Sequence, residues 1–122
     1  MATILVIDDE DQLRFLVNKM LTRDGHQVME ANDGVEGLQC FYQLNPDLVI
    51  TDIIMPNKDG IEVIADLLAA NPNQSIVVMS GGRREMANSI NFASIEMLGV
   101  KGILQKPFTH QQLRDVVEAA LS

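Results

Sequence analysis

The stretch VITDIIMPNKDG, residues 49–60, decides the fold. With Leu48 before it, its first half is a continuous apolar run, Leu48-Val49-Ile50-Thr51, rich in β-branched residues and lacking polar alternation. A strand reads this way when both of its faces are buried, as in a parallel sheet covered by helices. The run stops on Asp52, and a loop punctuated by Pro56 and Gly60 follows.

Outward from this strand the same alternation recurs. Thr3 to Ile7 is another β-branched run, followed by Leu13, Leu16, Val17, Met20 and Leu21 at helical spacing and by Gly25 as a stop. Gln27 to Ala31 reads as a second, weaker strand. Asn32-Asp33-Gly34 is a turn and helix start, Val35, Leu38, Phe41 and Tyr42 form the next stripe, and Asn45-Pro46 breaks it. Beyond Asp52, Ile61, Ile64, Leu67 and Leu68 form a third stripe closed by Asn71-Pro72. Ser75 to Met79 is a fourth strand ending at Ser80, with Gly81-Gly82 behind it. Met86, Ile90, Ala93 and Met97 make a fourth stripe ended by Gly99. Val100 to Gln105 is the fifth strand, broken by Lys106-Pro107, and Leu113, Val116, Val117, Ala120 and Leu121 form the last helix. Strand and helix alternate five times. This predicts one α/β domain over residues 1–122, doubly wound (βα)5, with a parallel sheet between two helical layers.

The bulk numbers agree. At 122 residues, 47% hydrophobic and 21% charged, the chain is long enough and apolar enough for one core. No apolar run approaches the length that spans a bilayer, and the N-terminus lacks a basic start and a long apolar segment. Cys40 is the only cysteine, so no internal disulfide forms, and a cytoplasmic setting is expected. The net charge of −8 repels nucleic acid and anionic membrane, and neither is expected as a direct partner.

In a parallel α/β sheet, ligands sit outside the carboxyl ends of the strands. The first strand ends at Asp8-Asp9, with Glu10 next, the third at Asp52, the fourth at Ser80 and the fifth at Lys106. Singly, each has a plain explanation as a cap, a turn or a surface charge. Together they are carboxylates that repel one another, a hydroxyl donor and a cation on one sheet edge. Hard oxygen ligands suit Mg²⁺. A carboxylate nucleophile, a metal and cationic or hydrogen-bonding groups for the moving oxygens are the parts of phosphoryl transfer through an aspartyl-phosphate.

On the residues VIDDE (6–10), VITDIIMPNKDG (49–60), Ser80 and LQKPF (104–108), the chain resembles the receiver domains of two-component response regulators, chemotaxis regulators among them, from end to end. The resemblance implies a flavodoxin-like three-layer sandwich with sheet order 2-1-3-4-5. It implies Asp52 as phosphoacceptor, Asp9 as a direct Mg²⁺ ligand, Asp8 holding the metal through water, and the Ile54 carbonyl completing the protein's share of the shell. Ser80 would bind a phosphoryl oxygen and couple phosphorylation to the loop after the fourth strand. Lys106 would pair with Asp52 or its phosphate, across a cis Lys106-Pro107 bond that aims the lysine into the site. The donor would be a histidine kinase or a histidine phosphotransfer protein. The output surface would be the fourth helix, fifth strand and fifth helix, read by a downstream protein that the sequence does not name. A monomer or a phosphorylation-linked homodimer is expected.

Three features depart from the family pattern. Ile103 stands where an aromatic switch residue is usual, which puts the aromatic relay in doubt. Gly81-Gly82 replace a small and a polar residue and should make their loop mobile. Ile54 offers no polar group to orient water, which implies a long-lived phosphate. The segment from Ser80 to Lys106 is also longer than in compact members, with Arg83-Arg84 at its start. Competing readings are a haloacid-dehalogenase-like phosphatase, a flavodoxin-like cofactor binder and an unphosphorylated receiver-like binding module. The phosphatase would carry a second Asp two residues after the nucleophile, where Ile54 stands. One Tyr and no Trp give a flavin little to stack on. No output domain follows the last helical stripe in this sequence, so the signal passes to another protein, or the sequence is part of a longer regulator.

Overall fold

A computed structural model describes residues 1–55, 58–81 and 95–122. In chain order the elements are β1 (Thr3–Ile7), α1 (Asp11–Arg23), β2 (Gln27–Ala31), α2 (Gly34–Leu44), β3 (Leu48–Asp52), α3 (Gly60–Ala70), β4 (Ser75–Ser80), β5 (Gly102–Gln105) and α4 (His110–Leu121). The five strands are all parallel, in the order β2-β1-β3-β4-β5. This is the flavodoxin-like sandwich expected. Of the fourth helical stripe, Met86, Ile90 and Ala93 lie outside the described residues, as do Pro56, Gly82 and Arg83-Arg84.

The period-2 geometry of a strand divides the apolar runs between two cores. Leu5 and Ile7 of β1, Val49 of β3 and Ile76 and Val78 of β4 pack with Phe41 of α2 and with Val63, Ile64 and Leu67 of α3. Ile4 and Val6, Leu48 and Ile50, and Val77 and Met79 face the other way. They meet Val17 and Leu21 of α1 and Leu113 and Val117 of α4. Covering both faces is what makes β1, β3 and β4 continuous apolar runs.

Local chemistry starts and stops the helices. Asp33 caps α2 by accepting from Glu36 N at 2.8 Å, and Asp59 caps α3 by accepting from Glu62 N at 2.9 Å. Thr109 and Gln112 form a reciprocal capping box on α4. Gly25, with φ +96°, follows the C-cap of α1. No helix among the described residues is long and apolar enough to cross a membrane.

Several apolar residues lie elsewhere than their spacing predicts. On α2, Val35 is 47% and Tyr42 61% exposed, and the buried line is Gly34, Gly37 and Phe41. The reason is close approach. A Cβ on Gly37 would lie 2.5 Å from Ile7 Cδ1, so this helix seats its glycine face on β1. Met97 of the fourth stripe is 88% exposed, and Ile95 is the buried residue there. On α1, Leu16 is also exposed, and on α3 Val63 is buried while Ile61 is exposed. β5 begins at Gly102 rather than Val100, although Lys101 N still donates to Ile76 O at 2.8 Å.

Gly60 opens α3 directly beneath the end of β3. A Cβ there would stand 2.3 Å from Asp52 O and 2.7 Å from Ile53 Cα, both backbone atoms that cannot swing aside. Gly60→Ala is therefore expected to destabilise the fold by about 2–3 kcal/mol. At Gly37 an added Cβ meets three side-chain atoms of the buried Ile7, so Gly37→Ala also destabilises, but by about 1 kcal/mol less than Gly60→Ala, since a side chain can shift where backbone cannot and alanine adds helix propensity. Equilibrium urea unfolding checks this, and equal costs at the two positions would contradict it.

Candidate functional site at the strand ends

The ladder register builds the site. Ile7 pairs with Thr51 and Asp52 with Met79, so Asp8, one residue past the end of β1, lies beside Asp52. Ser80 pairs with Gln105, which brings Lys106 alongside the end of β4, and Lys106 N donates to Ser80 O at 2.7 Å. Gly81 then passes so close that a Cβ would be 3.1 Å from Lys106 O. Its φ of +121° favours glycine. Conformation and close approach thus account for the glycine expected to give mobility.

Three carboxylates converge here. Asp8, Asp9 and Asp52 each present an oxygen within 4.8 Å of the others, with Asp8 and Asp52 buried and Asp9 partly so. Asp52 Oδ1 accepts from Ile53 N at 2.8 Å, and Oδ2 accepts from Lys106 Nζ at 3.0 Å. Asp8 Oδ1 accepts from Glu10 N at 2.9 Å, an Asx-type bond that starts α1, since Glu10 itself makes no side-chain cap. Asp8 Oδ2 lies 3.6 Å from Lys106 Nζ, without a hydrogen bond. The Lys106-Pro107 bond is cis, as expected.

Among the described residues, two buried side-chain atoms lack any hydrogen-bond partner: Asp8 Oδ2 and Ser80 Oγ. An unmet buried polar group costs about 1–3 kcal/mol. Both fall on the one sheet edge where the fold places ligands. An all-oxygen set with an unmet carboxylate oxygen fits a hard divalent cation, and an unmet hydroxyl beside it fits an oxyanion.

Electrostatics follow from burial. The Asp8 carboxyl is pushed up to about 6, first by burial, which outweighs the Glu10 amide; Asp52 then adds to the rise, Lys106 opposes it and Asp9 adds. Burial also raises Asp52, against the pull of Lys106 and the Ile53 amide. Burial works to lower the Lys106 pKa, but Asp52 and Asp8 overcome it, so the ammonium is held above its ordinary value. The lysine therefore stays charged.

Of the other predicted site residues, Ile54 follows Asp52 by two and packs its side chain on the α2–α3 core, where a phosphatase of the competing kind would need an acid. Ile103 pairs with Val78 and rests on the same core. Arg14 was not foreseen. It sits in the first turn of α1, against the helix dipole, and that unfavourable position was the one signal of it. A groove of about 490 Å³ lined by Glu10, Leu13, Leu16, Lys106, Pro107 and Phe108 opens beside the lysine.

The sheet order, the register and the acidic edge are those of a receiver domain. The chain belongs to the response regulator receiver domain family, whose profile matches residues 4–118. It is 34% identical to the chemotaxis protein CheY of Thermotoga maritima, over 95% of this chain and 92% of that one. It is 29% identical to the sporulation initiation phosphotransferase F of Bacillus subtilis, over 97% of this chain and 92% of that one. Among solved structures, a response regulator receiver domain protein from Clostridium thermocellum superposes with a TM-score of 0.87 at 29% identity, covering 99% of this chain and 94% of that one.

A carboxyl whose folded pKa lies above its unfolded value binds its proton more tightly when folded, so its ionisation erodes stability as pH rises between the two values, here about 4 and about 6. Without divalent cations, Asp8→Asn should match the unsubstituted protein near pH 4 and exceed its stability by about 1–2 kcal/mol near pH 7.5. Urea unfolding at a series of pH values reads this; a gap that does not widen with pH would contradict it.

Proposed function

We propose that this domain accepts a phosphoryl group on Asp52 from the phosphohistidine of a histidine kinase or a histidine phosphotransfer protein. The observation that carries the reading is the unmet Asp8 Oδ2 and Ser80 Oγ flanking a buried carboxylate already paired with Lys106. In the transfer, an Asp52 carboxylate oxygen attacks phosphorus. The phosphorus–nitrogen bond breaks, and the imidazole leaves and takes a proton from solvent. Lys106 shifts its ammonium from Asp52 Oδ2 to the incoming phosphoryl oxygens, and Ser80 donates its hydroxyl to another. The Ile53 amide holds the remaining carboxylate oxygen.

Asp8, Asp9 and Asp52, with the Ile54 carbonyl, would hold Mg²⁺. When bound, the ion neutralises the gathered carboxylates and the phosphoryl charge. The groove beside Lys106 is the approach for the donor. With Ile54 giving no polar group to orient water, spontaneous hydrolysis is slow. Ser80 gains a partner on phosphorylation and passes the change to the chain leaving β4. Ile103, aliphatic and seated on the core, replaces the aromatic relay by a shift in packing. A downstream protein reads the altered face. The setting is cytoplasmic, where such kinases present their phosphohistidine.

Incubation with Mg²⁺ and acetyl phosphate should give acid-stable, base-labile phosphate on the unsubstituted protein and none on Asp52→Asn. A chelator should abolish labelling, and Lys106→Ala should slow it about tenfold or more. Undiminished label on Asp52→Asn would overturn the assignment.

A further inference from the structure

The three guanidinium nitrogens of Arg14 reach three different places. Nε donates to Glu30 Oε1 on β2 at 2.9 Å, Nη1 donates to the Asp8 carbonyl oxygen at 2.8 Å, and Nη2 pairs with Asp11 Oδ1 at 2.8 Å. Asn18 Nδ2 donates to the other Glu30 oxygen at 2.6 Å, so the anchor is itself braced. The Arg14 side chain is only 15% exposed, whereas that of Asp11 is 83% exposed. The solvated Asp11 pair contributes little. The contacts with consequence are those to Glu30 and to the Asp8 carbonyl.

That carbonyl belongs to the peptide joining Asp8 to Asp9. A planar peptide held at its oxygen fixes the direction in which both neighbouring side chains leave the backbone. Burial alone would disfavour the guanidinium, but Glu30 and Asp11 more than offset it, so Arg14 is a charged group fixed in place beside the Asp8–Asp9 peptide.

We propose that Arg14 is the positioning residue of the acidic cluster. Braced on Glu30, it holds the Asp8–Asp9 peptide so that the carboxylates of Asp8, Asp9 and Asp52 converge into a divalent-cation site. The inference rests on the cation-site reading above. Arg14 acts through the backbone and takes no part in the transfer itself. Glu30, on the neighbouring strand, is included in the device as its anchor.

Charge and position make opposite predictions. Removing a positive charge near three carboxylates should, by Coulomb's law alone, tighten cation binding. Losing the bracket should weaken it. The probe is Mn²⁺, titrated into metal-free protein, with free ion read by electron paramagnetic resonance. Arg14→Ala and Arg14→Lys are both expected to bind about tenfold more weakly than the unsubstituted protein. Arg14→Lys keeps the charge and loses the fork, so weaker binding there isolates geometry. In metal-free Arg14→Lys, the amide resonances of Asp9 and Glu10 should also move. Binding as tight as, or tighter than, the unsubstituted protein in a variant with unchanged circular dichroism would overturn the inference. If Arg14→Ala fails to fold, Arg14→Lys decides. Asp9→Asn reports on the underlying reading: if it binds Mn²⁺ like the unsubstituted protein, or if that protein binds none, the cation site fails and this inference falls with it.

Discussion

Two buried carboxylates, with a third partly buried beside them and one ammonium to offset them, gathered at the end of a parallel sheet, are the constraint on which the rest depends. Two unit charges about 4 Å apart interact by roughly 4 kcal/mol near a protein surface. Lys106 can therefore offset one carboxylate well and two only partly. Lys106 is hydrogen-bonded to Asp52 and stands further from Asp8, too far to offset the burial that pushes the Asp8 carboxyl up to about 6. The arrangement is left short of positive charge and of hydrogen-bond donors. Under the proposed function a cation would supply the missing charge and meet Asp8 Oδ2, and phosphoryl oxygens would accept from Ser80 Oγ.

Such a site is held together only by a scaffold that does not give way. The two cores on either side of β1, β3 and β4 supply it, because sliding any of these strands by one residue would turn its apolar side chains to the wrong layer. The ladder pairs Ile7 with Thr51, Asp52 with Met79 and Ser80 with Gln105, and this same register sets the functional side chains beside one another. Glycine permits the remaining close contacts. Gly60 brings α3 against the backbone of Asp52 and Ile53, and Gly81 passes Lys106 at a φ open to few other residues. Packing and chemistry are thus coupled through backbone positions rather than through the reacting side chains alone.

Much of this was legible beforehand, for a physical reason. Strands buried on both faces leave unbroken apolar runs, and their last residues are visible as the points where those runs stop. That alone located Asp8, Asp9, Asp52, Ser80 and Lys106. Helix faces were less legible. Val35 and Tyr42 fit an apolar stripe by spacing, yet α2 turns its glycines inward, because hydrophobicity says nothing about how closely two backbones approach. Met97 was misplaced and Val63 overlooked. Arg14 escaped because its partners, Glu30 and the Asp8 carbonyl, are brought to it by the fold. Pairing across elements leaves no periodic trace in a chain.

The central claim is that Asp52 is the residue that carries the phosphoryl group. Reduction of the acetyl-phosphate-treated protein with borohydride, followed by peptide mass mapping, tests it most directly, since an acyl phosphate is reduced to an alcohol at its own position. The account predicts homoserine at position 52, formed only when Mg²⁺ is present during phosphorylation. Homoserine at position 8 or 9 instead, or an unaltered Asp52 in protein that carries phosphate, would contradict it.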